Sequence, residues 1–178
     1  MSLAERLAEK ETEIVNLWVE RTLDSYNSPG FFKSAQNQFD NPVGAMVRKG
    51  LAELFVLLRK KGATEDIART LDQVVRMRAV QEFTPSQAVV PFLELKWVIR
   101  NVLGEARHSP ELIYELENFE CEVERMALLA FDMFAVCREQ LFNNRLREIK
   151  SGRAQFVDGG CPSRLFETDD KGPVTIKK

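Results

Sequence analysis

No glycine or proline occurs between Pro110 and Gly152. A stretch of that length without either breaker is predicted to be a single helix. About 40 helical residues span roughly 60 Å, more than the width of a small domain. Within it Leu112, Leu116, Phe119, Val123, Met126, Ala130, Met133 and Cys137 alternate steps of four and three. That alternation is a heptad seam. Leu128, Leu129, Phe131 and Phe134 add a second apolar face around the middle. A helix apolar on two sides is buried on two sides: the second is either covered by a partner subunit or part of one broad core face, and the helix's length favours the partner. The seam residues Phe119, Val123, Met126, Ala130 and Met133 are the expected homodimer interface. The mixed charges flanking the seam leave parallel and antiparallel pairing both open.

Glycine and proline are sparse before Lys150 and mostly fall where helices should start or stop. Leu3, Leu7, Ile14, Leu17, Trp18 and Leu23 make one helical stripe over Ser2–Tyr26, broken by Asn27-Ser28-Pro29-Gly30. The segment 31–40 reads either as a short helix or as a loop anchored by Phe31, Phe32 and Phe39. Asn41-Pro42 opens the next helix, with Val43, Val47, Leu51, Leu54 and Leu58 on one face. Arg59-Lys60-Lys61-Gly62 closes it, with cations at the negative end of the helix dipole. Thr64 is placed to cap a helix carrying Ile67, Leu71, Val74 and Val75. Thr84-Pro85-Ser86-Gln87 restarts the chain as a capping box, followed by a stripe of Ala88, Phe92, Leu95, Ile99 and Val102. Pro91 lies inside that helix and should kink it, because it lacks an N–H and crowds the carbonyl four residues back.

The pattern therefore predicts an all-α domain over residues 1–150 and an irregular tail over 151–178. Phe156, Val157, Leu165 and Phe166 could dock that tail. The chain length of 178 residues fits one domain, with no internal repeat and no low-complexity tract. A net charge of −2 does not favour nucleic acid or an anionic membrane. No apolar run is long enough to span a bilayer, and the charged N-terminus lacks the apolar stretch of a signal peptide. The expected location is the cytoplasm.

Catalytic and metal chemistry find little to work with. His108, the sole histidine, precedes a Ser-Pro helix start, which is a poor place for a haem ligand. Glu105 and His108 form one Glu-x-x-His pair, whereas a di-iron site in a bundle needs two pairs and two further glutamates. Glu115, Glu117, Glu120, Glu122 and Glu124 scatter around the long helix, as a solvated face does. Cys121, Cys137 and Cys161 fit no metal spacing, and the first two are too far apart along one helix to bond. Cys161, between Gly159-Gly160 and Pro162, is the one candidate reactive thiol. No phosphate loop, nucleophile elbow or zinc motif occurs. No catalytic residue, metal or cofactor is expected.

One block is more specific. Arg76-Met77-Arg78-Ala79-Val80-Gln81-Glu82-Phe83-Thr84-Pro85-Ser86-Gln87-Ala88 resembles the signature of the RsbRD N-terminal domain family, the sensory input domains of RsbT co-antagonists in bacterial stressosomes. Trp18 with Leu23-Asp24-Ser25-Tyr26, then Phe39-Asp40-Asn41-Pro42-Val43-Gly44, then Leu93-Glu94-Leu95-Lys96, resemble flanking segments in the same order. The similarity covers residues 10–145. It implies a globin-like helical domain without haem, a homodimer with the last helix near the two-fold axis, and a regulatory role in stress signalling. Longer members continue into a STAS domain that contacts the switch kinase. Only 28 residues follow Lys150 here, so neither kinase recognition nor phospho-switching carries over. Pro91 is a second departure.

Three readings follow, none of them enzymatic. The first is a regulatory module acting through dimerisation and an unidentified signalling partner; Arg76, Arg78 and Gln81 at a helix–helix corner are its candidate recognition surface, although a helix end by itself accounts for cations at 76 and 78. The second is a small-ligand sensor with a pocket near Phe92, Trp97 and the Pro91 kink. The third is an accessory subunit of a membrane redox complex of sulfur metabolism, attached through the tail and Cys161.

Overall fold

A computed structural model describes residues 1–26, 29–34, 41–81 and 83–151. Among the described residues there are seven α-helices, one 3-10 helix and no strand, so the fold is all-α. Met1–Phe142 forms one compact unit. A second runs over Asn143–Lys178, and its described part, residues 143–151, is helical up to Lys150. The tail beyond Ser151, with Cys161, Phe156, Val157, Leu165 and Phe166, lies outside the described residues, as does Phe39.

The first stripe is cut in two. α1 (Leu3–Glu9) and α2 (Glu11–Asp24) meet at Lys10, whose N–H reaches back to the Ala8 and Arg6 carbonyls. A capping box between Ser2 and Glu5 opens α1. The break does not disturb the stripe, and Leu3, Leu7, Ile14, Trp18 and Leu23 are all buried. A short helix, α3 (Pro29–Ser34), takes in Pro29 and Gly30 of the expected breaker and runs into the segment left open in the sequence, resting Phe32 on the core and leaving Phe31 exposed.

α4 (Pro42–Arg59) starts as its sequence suggests, with the Asn41 side chain accepting from the Gly44 N–H at 2.8 Å. Its C-terminal turn differs in one residue. Lys61, not Gly62, takes the left-handed conformation (φ 51°), and the Gly62 N–H closes the turn on the Leu57 carbonyl at 2.8 Å. α5 (Thr64–Ala79) has Ala63 at its cap position and no side-chain cap; Thr64 is the first helical residue. α4 and α5 pack closely because Gly50 has no side chain. A Cβ there would meet Val74 Cγ2 at 2.6 Å.

α6 (Pro85–Leu103) opens with the full Thr84–Gln87 capping box and buries Ala88, Phe92, Leu95, Ile99 and Val102. It continues through Pro91 and stops at Gly104, whose backbone (φ 53°, ψ −133°) only glycine adopts without strain. A 3-10 helix (Gly104–His108) then leads to α7 (Pro110–Lys150). His108 thus ends a short helix rather than lying in a bare turn.

α6 and α7 run antiparallel. Lys96 pairs with Glu124 at 2.5 Å, and four residues further along α6 Arg100 pairs with Glu120, four residues back along α7. α7 is also tied to α1 through the Leu3 N–H, which donates to Glu115 Oε2 at 2.7 Å, and to α5 through Arg138, which donates to the Ala79 carbonyl.

Candidate functional site

The family-like block forms the corner between α5 and α6. Its two arginines separate completely. Arg76 is exposed and pairs with Asp72 one turn earlier, at 2.6 Å. Arg78 is wholly buried. It therefore cannot belong to an accessible recognition surface, and the expected trio of Arg76, Arg78 and Gln81 does not form one. The two positions are 200° apart on a helix, so one faces water when the other faces the core. The signal was available: Leu71, Val74, Val75 and Arg78 follow the i, i+3, i+4, i+7 spacing of a buried stripe. Gln81 is half-buried, and its side-chain oxygen has no hydrogen-bond partner among the described residues.

Arg78 serves the fold at this corner. Its guanidinium stacks on Phe83 at 4.1 Å and lies 5.0 Å from the Tyr26 ring. One terminal nitrogen donates to Ser25 Oγ at 3.0 Å and to the Gln87 carbonyl at 2.9 Å. Gln87 stands four residues before Pro91, so its carbonyl is the one that the proline leaves without a helical donor. Arg78 supplies the missing donor. The Pro91 carbonyl in turn accepts from Trp18 Nε1 at 2.7 Å. Burial pulls the Arg78 guanidinium below its ordinary pKa, and Tyr26 opposes that shift. Burial pushes the Tyr26 phenol up, against the pull of the Arg78 charge. The phenol oxygen feels that charge without making a hydrogen bond of normal geometry.

The two apolar faces of α7 do not divide as expected: in the second, Phe134 is buried and Leu129 packs on the core, while Leu128 and Phe131 are exposed. The expected interface residues Phe119, Val123, Met126 and Ala130 are buried within the protomer, and Met133 is half-buried against the same core. They are core, which leaves no surface there for a second subunit. Periodicity reveals a stripe but not what covers it. Another line on α7 is exposed instead. Tyr114, Cys121, Leu128, Ala135 and Phe142 recur at every seventh position, and all five face water. Tyr114 is 73% exposed, Leu128 68% and Phe142 59%. Phe131 and Val136 flank the line and are exposed too.

Phe92 and Trp97 do not share a pocket. Phe92 is in the core, whereas Trp97 is half exposed and lies under the Arg21 guanidinium at 4.2 Å. Arg21 is itself held by Glu94 at 2.9 Å. Trp97 instead walls a cleft of about 490 Å³ between the end of α6, the 3-10 helix and the start of α7. Ile113 and Leu116 complete its apolar side. Arg100 is pinned there by two hydrogen bonds of 2.5 Å to Glu120, which hold its pKa up.

Among the described residues no group of three or more His, Cys, Asp or Glu side chains is placed to hold a metal. No described helix is long and apolar enough to cross a membrane. Fold and surface together define an all-α domain whose long helix offers an exposed apolar line. The family described as RsbT co-antagonist protein rsbRD N-terminal domain matches residues 12–149, and the chain belongs to that family. Membership makes it a signalling input domain with a regulatory role. No curated protein and no solved structure matches the chain.

Proposed function

We propose that this chain is a non-enzymatic input module that works as a homodimer and passes its signal on through protein contacts. The dimer face is the exposed line Tyr114, Cys121, Leu128, Ala135 and Phe142. The observation that carries this reading is the seven-residue recurrence of exposed apolar side chains on one helix. A heptad repeat of that kind is what a second helix needs for continuous contact. Extended apolar surface on a water-soluble domain marks an interaction site.

The line is also self-complementary in size. It reads aromatic, small, leucine, small, aromatic from either end. A two-fold axis through a self-complementary face gives a closed dimer. In a parallel pair Leu128 meets Leu128 of the second copy. In an antiparallel pair centred on the line it does so again. Leu128→Glu therefore sets two carboxylates face to face in either arrangement. Light scattering at tens of micromolar should give twice the 20.4 kDa mass of the chain, and Leu128→Glu should give a monomer of unchanged helicity. A monomeric parent protein overturns the reading.

A further inference from the structure

We propose that the cleft beside Trp97 binds a small zwitterion with an apolar or aromatic side chain, of the free amino-acid class. Most polar groups around the cleft are already committed to one another. Arg100 and Glu120 neutralise each other through two hydrogen bonds. Both ring nitrogens of His108 are engaged, one with Glu105 and the other with Arg107. Arg107 donates Nε–H to His108 Nε2 at 3.1 Å and an Nη1 proton to the Arg100 carbonyl at 3.0 Å. Those two bonds fix the guanidinium and leave Nη2 available. The Asn101 side chain, at the same end of α6, has no hydrogen-bond partner among the described residues.

Glu117 lines the cleft from α7 and takes part in no ion pair or hydrogen bond among the described residues. Arg107, on the 3-10 helix, has no carboxylate partner among them either. Among the described residues the cleft thus holds a cation and an anion on different elements that form no ion pair with each other or with any other group. A simple anion would satisfy Arg107 and be repelled by Glu117. A simple cation would do the reverse. A zwitterion satisfies both, its carboxylate on Arg107 and Asn101 and its ammonium on Glu117. Trp97, Ile113 and Leu116 give its side chain an apolar wall, and a volume of about 490 Å³ lies within the range of small-molecule sites.

The two tryptophans make the test direct. Trp18 is fully buried and Trp97 is 48% exposed, so acrylamide quenching of emission reports mainly Trp97. L-phenylalanine should protect that emission saturably. 3-Phenylpropionate, which lacks the ammonium, and phenethylamine, which lacks the carboxylate, should each bind at least about tenfold more weakly, as should L-phenylalanine to Glu117→Gln. Glu117 is exposed and makes no hydrogen bond or ion pair among the described residues, so this variant should keep its fold. Arg107→Gln should weaken binding similarly. Absence of saturable protection overturns the proposal, as does equal binding of the three compounds or an unaffected Glu117→Gln. The dimer is read from mass and the ligand from quenching, so either idea can fail while the other stands.

Discussion

Arg78 is a buried cation that no carboxylate among the described residues accompanies. Burying a charge costs several kcal/mol unless other groups compensate. Two aromatic rings, the Ser25 hydroxyl and the Gln87 carbonyl provide that compensation. The Gln87 contact exists because Pro91 cannot donate, so Arg78 and Pro91 should be energetically coupled. Arg78→Met should lower stability by about 1–3 kcal/mol by stranding the part-buried Gln87 carbonyl. In a Pro91→Ala background the helix supplies its own donor, and the same substitution should cost about 1 kcal/mol less. Urea denaturation of the four proteins measures the coupling, and simple additivity would show that the carbonyl contact does not carry it. Tyr26 gives a pH signature at the same corner. Its folded-state pKa is raised above the ordinary 10.0, so the folded state holds the phenolic proton more tightly than the unfolded state. The associated stability is fully present below pH 10 and is lost as pH rises through the folded value. Tyr26→Phe should change stability at neutral pH by no more than about 1 kcal/mol, because the hydroxyl makes no hydrogen bond of normal geometry among the described residues, and should remove that alkaline loss. Chemical denaturation at neutral pH and above pH 10 compares the two proteins.

At the scale of the elements, α4 and α5 depend on one missing side chain. Val74 is buried and branched, and it would have to move if Gly50 gained a Cβ at 2.6 Å. Gly50→Ala should destabilise by about 1–3 kcal/mol despite alanine's better helix propensity. A rise in thermal midpoint would show that the two helices can part without cost. Much of this level was legible in advance. The Thr84–Gln87 box, the Asn41 cap and the inward stripes of α4, α5 and α6 follow from local chemistry, which a sequence displays directly. What stayed hidden was set by tertiary context. The turn at Lys10 carries no glycine or proline to announce it. The left-handed residue after α4 is Lys61 although a glycine follows it. Arg78 lies on an apolar stripe, but its charge suggests surface until its partners Gln87 and Phe83 are in place. The cleft needed three elements to come together, and only Trp97 among its walls stood out by residue type.

For the whole molecule, the two faces of α7 make opposite demands on a charged substitution. Val123 is wholly buried in the core of its own protomer. An aspartate there would strand a charge away from any partner, a cost larger than a domain of marginal stability can absorb. Val123→Asp should therefore fail to fold at any protein concentration. Leu128 is on the opposite side of the balance, exposed in the protomer and covered only in the proposed dimer. Association stabilises the folded state by mass action, so the thermal midpoint of the parent protein should rise with concentration. Leu128→Glu should abolish that dependence while keeping the midpoint of the dilute parent. Scanning calorimetry over a hundredfold concentration range separates these cases. A midpoint independent of concentration in the parent protein would mean that the exposed line of α7 contributes nothing to folding as a dimer. A midpoint for Leu128→Glu well below that of the dilute parent would mean that the residue supports its own protomer after all.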